Sequence, residues 1–139
     1  MTLYVLDSSA VVRFLDREAG WERVAAILIQ KMTAKADVAI SAVQWGEIAG
    51  AVRKKSGAAA EHRAMTRLGE FEPRIEPVTG ERARRAAALK VETRIAYADA
   101  FAAELALEFS GSLLVTADFG FKVVAHLTPV EFLPSKQSA

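Results

Sequence analysis

The stretch Leu3-Tyr4-Val5-Leu6-Asp7-Ser8-Ser9-Ala10-Val11-Val12 decides the fold. Its first four residues are a short continuous apolar run, best read as a buried strand. Asp7, Ser8 and Ser9 then offer helix-capping oxygens before Ala10-Val11-Val12 and Phe14-Leu15. The strand thus delivers Asp7 to a strand-to-helix junction. Ligand sites in open α/β sheets lie at the carboxyl ends of strands. An acid placed just past a buried strand is costly unless something compensates it.

Outward from this stretch, short strands alternate with helices. Trp21, Val24, Ala25, Leu28 and Met32 follow helical spacing. Val38-Ala39-Ile40 reads as a second strand, with Ser41 as a cap for a helix over about 42–55 that ends at Ser56-Gly57. Another helix is predicted over 58–71. Residues 75–78, flanked by Pro73 and interrupted by Pro77, are ambiguous. Thr79 caps a long helix that carries Arg82, Arg84, Arg85, Lys90 and Arg94. A helix over 98–109 places Ala98, Phe101, Ala102, Leu105 and Phe109 on one stripe, and Gly111 ends it. Leu113-Leu114-Val115 is a strand, and a last one is expected near Val123-Val124 or over 130–133. This alternation predicts an α/β fold: one domain over 1–134 with a central, mainly parallel sheet flanked by helices. Residues 135–139 read as a polar, frayed tail.

Composition narrows the function classes. The chain has 139 residues, 52% of them hydrophobic and 25% charged, which suits one domain with a real core. Eighteen basic and seventeen acidic residues nearly cancel, so any nucleic-acid contact must come from a local patch. Cysteine is absent, which removes disulfides, thiol nucleophiles and cysteine zinc sites and fits a reducing compartment. No apolar run approaches a membrane span, and Leu3 to Leu6 is too short for a signal-peptide core. The expectation is a soluble cytoplasmic protein.

Four acids carry the chemistry: Asp7, Glu47, Asp99 and Asp118. Asp118 follows the run Leu113-Leu114-Val115, while Glu47 and Asp99 sit on predicted helices rich in apolar residues. Helix acids often pair with a base three or four positions along, as Glu81 does with Arg84 and Arg85. Glu47 and Asp99 have no basic neighbour at those spacings, and their small neighbours leave room around each carboxylate. Glu104 and Glu108 also lack local partners, but they are read as solvated on the polar side of their helix. Taken singly, each acid is better explained as a cap or a surface charge. The combination points to a divalent cation held by gathered carboxylates, and hard oxygen ligands select Mg²⁺ or Mn²⁺.

The remaining candidates rank lower. His62, beside Glu61 and Arg63, reads as exposed, and His126 as packed or hydrogen-bonded. No HExxH, P-loop, GxGxxG or serine elbow is present. Metal-activated water acting on a phosphodiester is the natural chemistry for such acids. Ser9 and Thr116, two residues from Asp7 and Asp118, offer hydroxyls that orient a carboxylate, a water or a phosphate, with capping as the alternative for each. Arg82, Arg84 and Arg85 are better explained as a solvated helix face than as an RNA contact. Trp21 and Trp45 are better explained as core than as stacking platforms.

With these residues in order, the chain resembles the PIN-domain ribonucleases, specifically VapC-type toxins of prokaryotic toxin–antitoxin pairs. The resemblance rests on four segments: Leu6-Asp7-Ser8-Ser9-Ala10, Ser41 through Glu47-Ile48, Ala98-Asp99-Ala100-Phe101, and Leu114-Val115-Thr116-Ala117-Asp118. It implies a Rossmann-like fold and Mg²⁺- or Mn²⁺-dependent endonucleolytic cleavage of RNA. It also implies that Asp7, Asp99 and Asp118 hold the metal, with Glu47 acting through water or positioning the nucleophile, and Thr116 as the site hydroxyl. A homodimer and a neutralising antitoxin, often with a basic side chain among the acids, come with the family. Ser8 stands where threonine is frequent, and Gly120-Phe121 depart from the usual residues after the last acid. The rival readings are a phospho-receiver signalling domain and a catalytically silent PIN-like binding scaffold. A receiver should carry paired acids after its first strand, whereas Asp7 is followed by Ser8-Ser9. A phosphatase with Asp7 as nucleophile would want a second Asp where Ser9 stands.

Overall fold

The computed structural model describes residues 1–136. The chain runs through β1 (Thr2–Leu6), α1 (Ser8–Asp16), α2 (Trp21–Met32), β2 (Ala36–Ser41), α3 (Ala42–Ser56) and α4 (Ala58–Glu70). It continues with β3 (Arg74–Glu76), α5 (Gly80–Thr93), α6 (Tyr97–Glu108), β4 (Leu113–Thr116), a 3-10 turn over Phe119–Val124 and β5 (Val130–Phe132). The five strands form one sheet in the order β3-β2-β1-β4-β5, and every neighbouring pair is parallel. From β1 the chain first builds outward through β2 and β3, then returns to build β4 and β5 on the other side. The junction of β1 and β4 is therefore the topological switch point, where α/β sheets open a crevice beyond their strand ends.

Side-chain alternation along the strands divides the core into two layers. Tyr4, Leu6, Val38, Ile40 and Val115 pack on one face against Val11, Val24, Ile27, Leu28, Ile48 and Leu68. Val5, Ala39 and Leu114 pack on the other against Leu89, Phe101, Leu105, Phe121 and Val124. The α6 helix departs from the expected single stripe: every residue from Ala100 to Ala106 is buried. A helix enclosed on all sides holds Asp99 on a rigid support.

Gly20 turns the chain into α2 at φ +88°, where a Cβ would stand 3.0 Å from both Leu133 Cβ and Pro134 Cδ. Only a residue without a side chain fits that left-handed corner.

Several expectations are adjusted. The ambiguous segment forms a short strand one residue earlier, at Arg74–Glu76. Of the two sites for a last strand, Val130–Phe132 is the strand, while Val123-Val124 belongs to the 3-10 turn. His126 is exposed rather than packed, and His62 is exposed as expected. Trp21 and Trp45 are partly buried against the first core layer. Of the tail expected to fray, residues 137–139 lie outside the described residues, while Lys136 pairs with Glu18 at 2.7 Å. Among the described residues no helix is long and apolar enough to cross a membrane.

Candidate active site

Asp7 follows the last residue of β1, and its backbone N–H donates to Val115 O on neighbouring β4. As the N-cap of α1 it accepts from Ala10 N at 3.0 Å, which satisfies one of the free amides at the helix start. The carboxylate is only 1% exposed, so its remaining lone pairs need donors. Ser9 Oγ lies 2.9 and 2.8 Å from its two oxygens, and Thr116 Oγ1 donates to Oδ2 at 2.7 Å. Both hydroxyls are tied in turn: Ser9 Oγ accepts from Ala117 N, and Thr116 Oγ1 accepts from Asp118 N, each at 2.9 Å. The two polar residues singled out in the sequence thus lock the Asp7 carboxylate to the end of β4. Burial pushes the Asp7 carboxyl up from 3.8 to about 6, against the Thr116, Ala10 and Ser9 hydrogen bonds that lower it.

Asp99 enters from the first turn of α6. Its carboxyl is pushed up from 3.8 to about 7, first by burial and then by the charges of Asp118, Asp7 and Glu47. A hydrogen bond to Asp118 further favours its protonated form. Glu47, on the exposed side of α3, accepts from Ser8 Oγ at 3.4 Å. Asp118 is exposed beyond β4, and its Oδ1 accepts from Gly120 N at 2.8 Å. Gly120, a departure from the family pattern, makes room for this acid: a Cβ there would lie 3.0 Å from Asp118 Oδ1. Phe121 turns away into the core and is fully buried.

The four acids therefore share one electrostatic neighbourhood. Among the described residues, none of them forms an ion pair with a Lys, Arg or His. No three His, Asp or Glu side chains among those residues are grouped tightly enough to hold a metal ion as they stand. Beside the acids lies an open groove of about 310 Å³, lined by Ser8, Ser9, Val12, Glu47, Ala117 and Lys136 among others.

This neighbourhood sets a pH dependence. Both raised carboxyls hold protons in the folded state that the unfolded chain has already released. The resulting stabilisation is full below about pH 4 and is lost as the pH rises through about 6 for Asp7 and about 7 for Asp99. Between about pH 5 and about pH 8, Asp7 alone accounts for roughly 1–2 kcal/mol. Urea unfolding in EDTA should give a lower midpoint at the higher pH, and Asp7→Asn should shrink the difference. An equal drop in both proteins would place its source outside Asp7.

One residue of the site escapes the sequence reading. Gln44 is completely buried on α3; its Oε1 accepts from Ser8 N at 2.7 Å and its Nε2 donates to Ala98 O at 2.6 Å. The available signal is an amide one turn before the core residue Ile48, on the inward face of the helix.

Glu104 requires a correction. It is 4% exposed, not solvated, and lies between two arginines of α5. Arg82 Nη1 donates to it at 2.9 Å and Arg85 Nε at 2.9 Å. Arg82 and Arg85 therefore join α5 to α6 rather than forming a free face, while Arg84 is exposed. Arg85 also pairs with Glu81 at 3.5 Å, as its spacing predicts, and comes within 3.9 Å of Glu108.

Comparison with known proteins places this geometry in a fold family. The VapC20 toxin of Mycobacterium tuberculosis, described as cleaving the sarcin–ricin loop, is similar with a TM-score of 0.69 and 20% identity, covering 94% of this chain and 99% of that one. A toxin–antitoxin complex from Klebsiella pneumoniae gives 0.68 and 20%, with 97% and 99% covered. FitAcB from Neisseria gonorrhoeae gives 0.67 and 24%, with 91% and 95% covered. At these identities the likeness is one of fold. A comparison with curated proteins finds no match. The model of the PIN domain matches residues 4–127, a span that includes all four acids, and the chain belongs to the PIN domain family.

Proposed function

We propose that this chain is a divalent-metal-dependent endoribonuclease of the VapC type, the toxin of a type II toxin–antitoxin pair. The observation that carries the reading is the gathering of Asp7, Glu47, Asp99 and Asp118 at the switch point, close enough that three of them raise the fourth. Carboxylates that repel one another without an internal cation favour a bound one. The donor set fits a hard ion: every ligand available is an oxygen, and the histidines lie on exposed surface elsewhere in the sequence. Asp7, Asp99 and Asp118 would hold Mg²⁺ or Mn²⁺, with Glu47 reaching it through water.

When bound, such an ion neutralises a phosphate oxygen and lowers the pKa of an attacking water. The chain's own part is preorganisation. Ser9 and Thr116 fix the Asp7 carboxylate by hydroxyl contacts of 2.7–2.9 Å, so it need not reorient during the reaction. Enclosed α6 fixes Asp99. Exposed Glu47 stands at the groove wall, where it can orient a nucleophilic water beside the phosphate. An RNA strand in the groove would bring its backbone past Ser8, Ser9 and Lys136.

The reading includes a cytoplasmic setting, a homodimer and an antitoxin that presents a basic side chain to the acids. Structures similar in fold support the toxin role and the antitoxin partner, since one is described as a sarcin–ricin-loop-cleaving toxin and another as a toxin–antitoxin complex. The test is incubation of the purified protein with a folded RNA. Internal cuts are expected with Mg²⁺ or Mn²⁺ and none with EDTA. Cutting that survives EDTA, or no cutting with either ion, would overturn the proposal.

A further inference from the structure

Gln44 hydrogen-bonds to none of the four acids, yet its two hydrogen bonds end on immediate chain neighbours of two of them. Ser8 follows Asp7, and Ala98 precedes Asp99. Ser8 N is one of the amides at the start of α1 that no helical carbonyl can satisfy. Ala98 O lies at the start of α6, where a carbonyl has a second lone pair to offer. The bonded residues are 36 and 54 positions away in sequence, so the bridge joins segments that nothing local holds together. Glu47 sits three residues further along α3, about one turn away. A completely buried amide with both ends engaged has a single low-energy orientation.

We propose that Gln44 is a positioning residue: by bridging Ser8 N and Ala98 O from α3, its amide sets the separation of Asp7 and Asp99 and references both to Glu47. The inference deepens the proposed metal site and rests on that reading for its functional consequence. Its structural part stands separately, because the bridge holds the first turns of α1 and α6 whether or not an ion is present. Met in place of Gln44 keeps the length and removes both polar ends.

Two measurements on Gln44→Met test this, with Leu68→Ala as a comparator that loosens the core layer of Ile48 away from the site. The first is amide hydrogen exchange in EDTA. Exchange in the first turns of α1 and α6 should speed about tenfold or more in folded Gln44→Met and stay unchanged in Leu68→Ala. The second is Mn²⁺ affinity by calorimetry, expected to fall about tenfold in Gln44→Met and to hold in Leu68→Ala. Wild-type protein that binds no Mn²⁺ would sink the metal-site reading and the functional part of this one, while the exchange data would still decide the bridge. Unchanged exchange in Gln44→Met, or equal losses of Mn²⁺ affinity in both variants, would overturn the positioning role.

Discussion

Asp99→Asn is expected to lower RNA cleavage by about a thousandfold or more, with the fold retained. The amide keeps the shape of the side chain and removes the charge that would face a cation. Its effect on stability should be small or favourable. At neutral pH the native carboxyl is already strained toward its protonated form by burial and by Asp118, Asp7 and Glu47. Removing that charge relieves repulsion. Asp7→Asn should behave likewise: the introduced amide can still accept from Ala10 N through its oxygen, and its NH₂ can donate to Thr116 Oγ1 in place of the present bond. The combination of lost cleavage and an equal or raised urea midpoint is the signature of residues kept for chemistry at a cost in stability. Unchanged cleavage in either variant would remove that acid from the active site.

Glu104→Leu is expected to destabilise the protein by about 3–5 kcal/mol. The carboxylate is almost fully enclosed, and its partner Arg82 has a side chain only 15% exposed. Deleting the acid leaves that guanidinium with nothing to neutralise it where water reaches poorly. Arg85 is half-exposed and can turn to Glu81 or to solvent, so Arg82 dominates the loss. Replacing Arg82 by Leu as well should recover much of the stability, since an apolar pair can substitute for a buried ionic one. Urea denaturation of the single and double variants reads both effects. A loss below about 1 kcal/mol in the single variant would mean that Arg82 finds another partner or water. The acid lies five residues beyond Asp99 on the same helix, so this ion cluster also fixes the support of the site.

What is legible in the sequence is what lies close along the chain. A four-residue apolar run followed by Asp-Ser-Ser locates a strand end, a helix start and an acid together, and the structure has β1, α1 and the Asp7 cap there. The same holds for Ser41 and Thr79, each capping the helix it precedes. Glu104 is misread by any test for a partner that reaches only one turn along its own helix. Its arginines come from α5, 19 and 22 residues earlier, and only helix packing brings them near. Gln44 escapes notice for the same reason, since both its partners are remote in sequence. Val123-Val124 carries the apolar signal of a strand, but that signal reports burial: Val124 is buried in a 3-10 turn instead. Motif order is enough to suggest a neighbourhood of four acids, but its electrostatic coupling needs the folded arrangement of β1, α3, α6 and β4.

Cleavage of RNA by the four-acid site is tested by mapping new RNA ends in cells after induction of the wild-type chain and of Asp99→Asn at matched protein levels. Discrete internal cuts are expected with the wild type and none above background with the variant. The same cuts in both would contradict the assignment of the acids to catalysis.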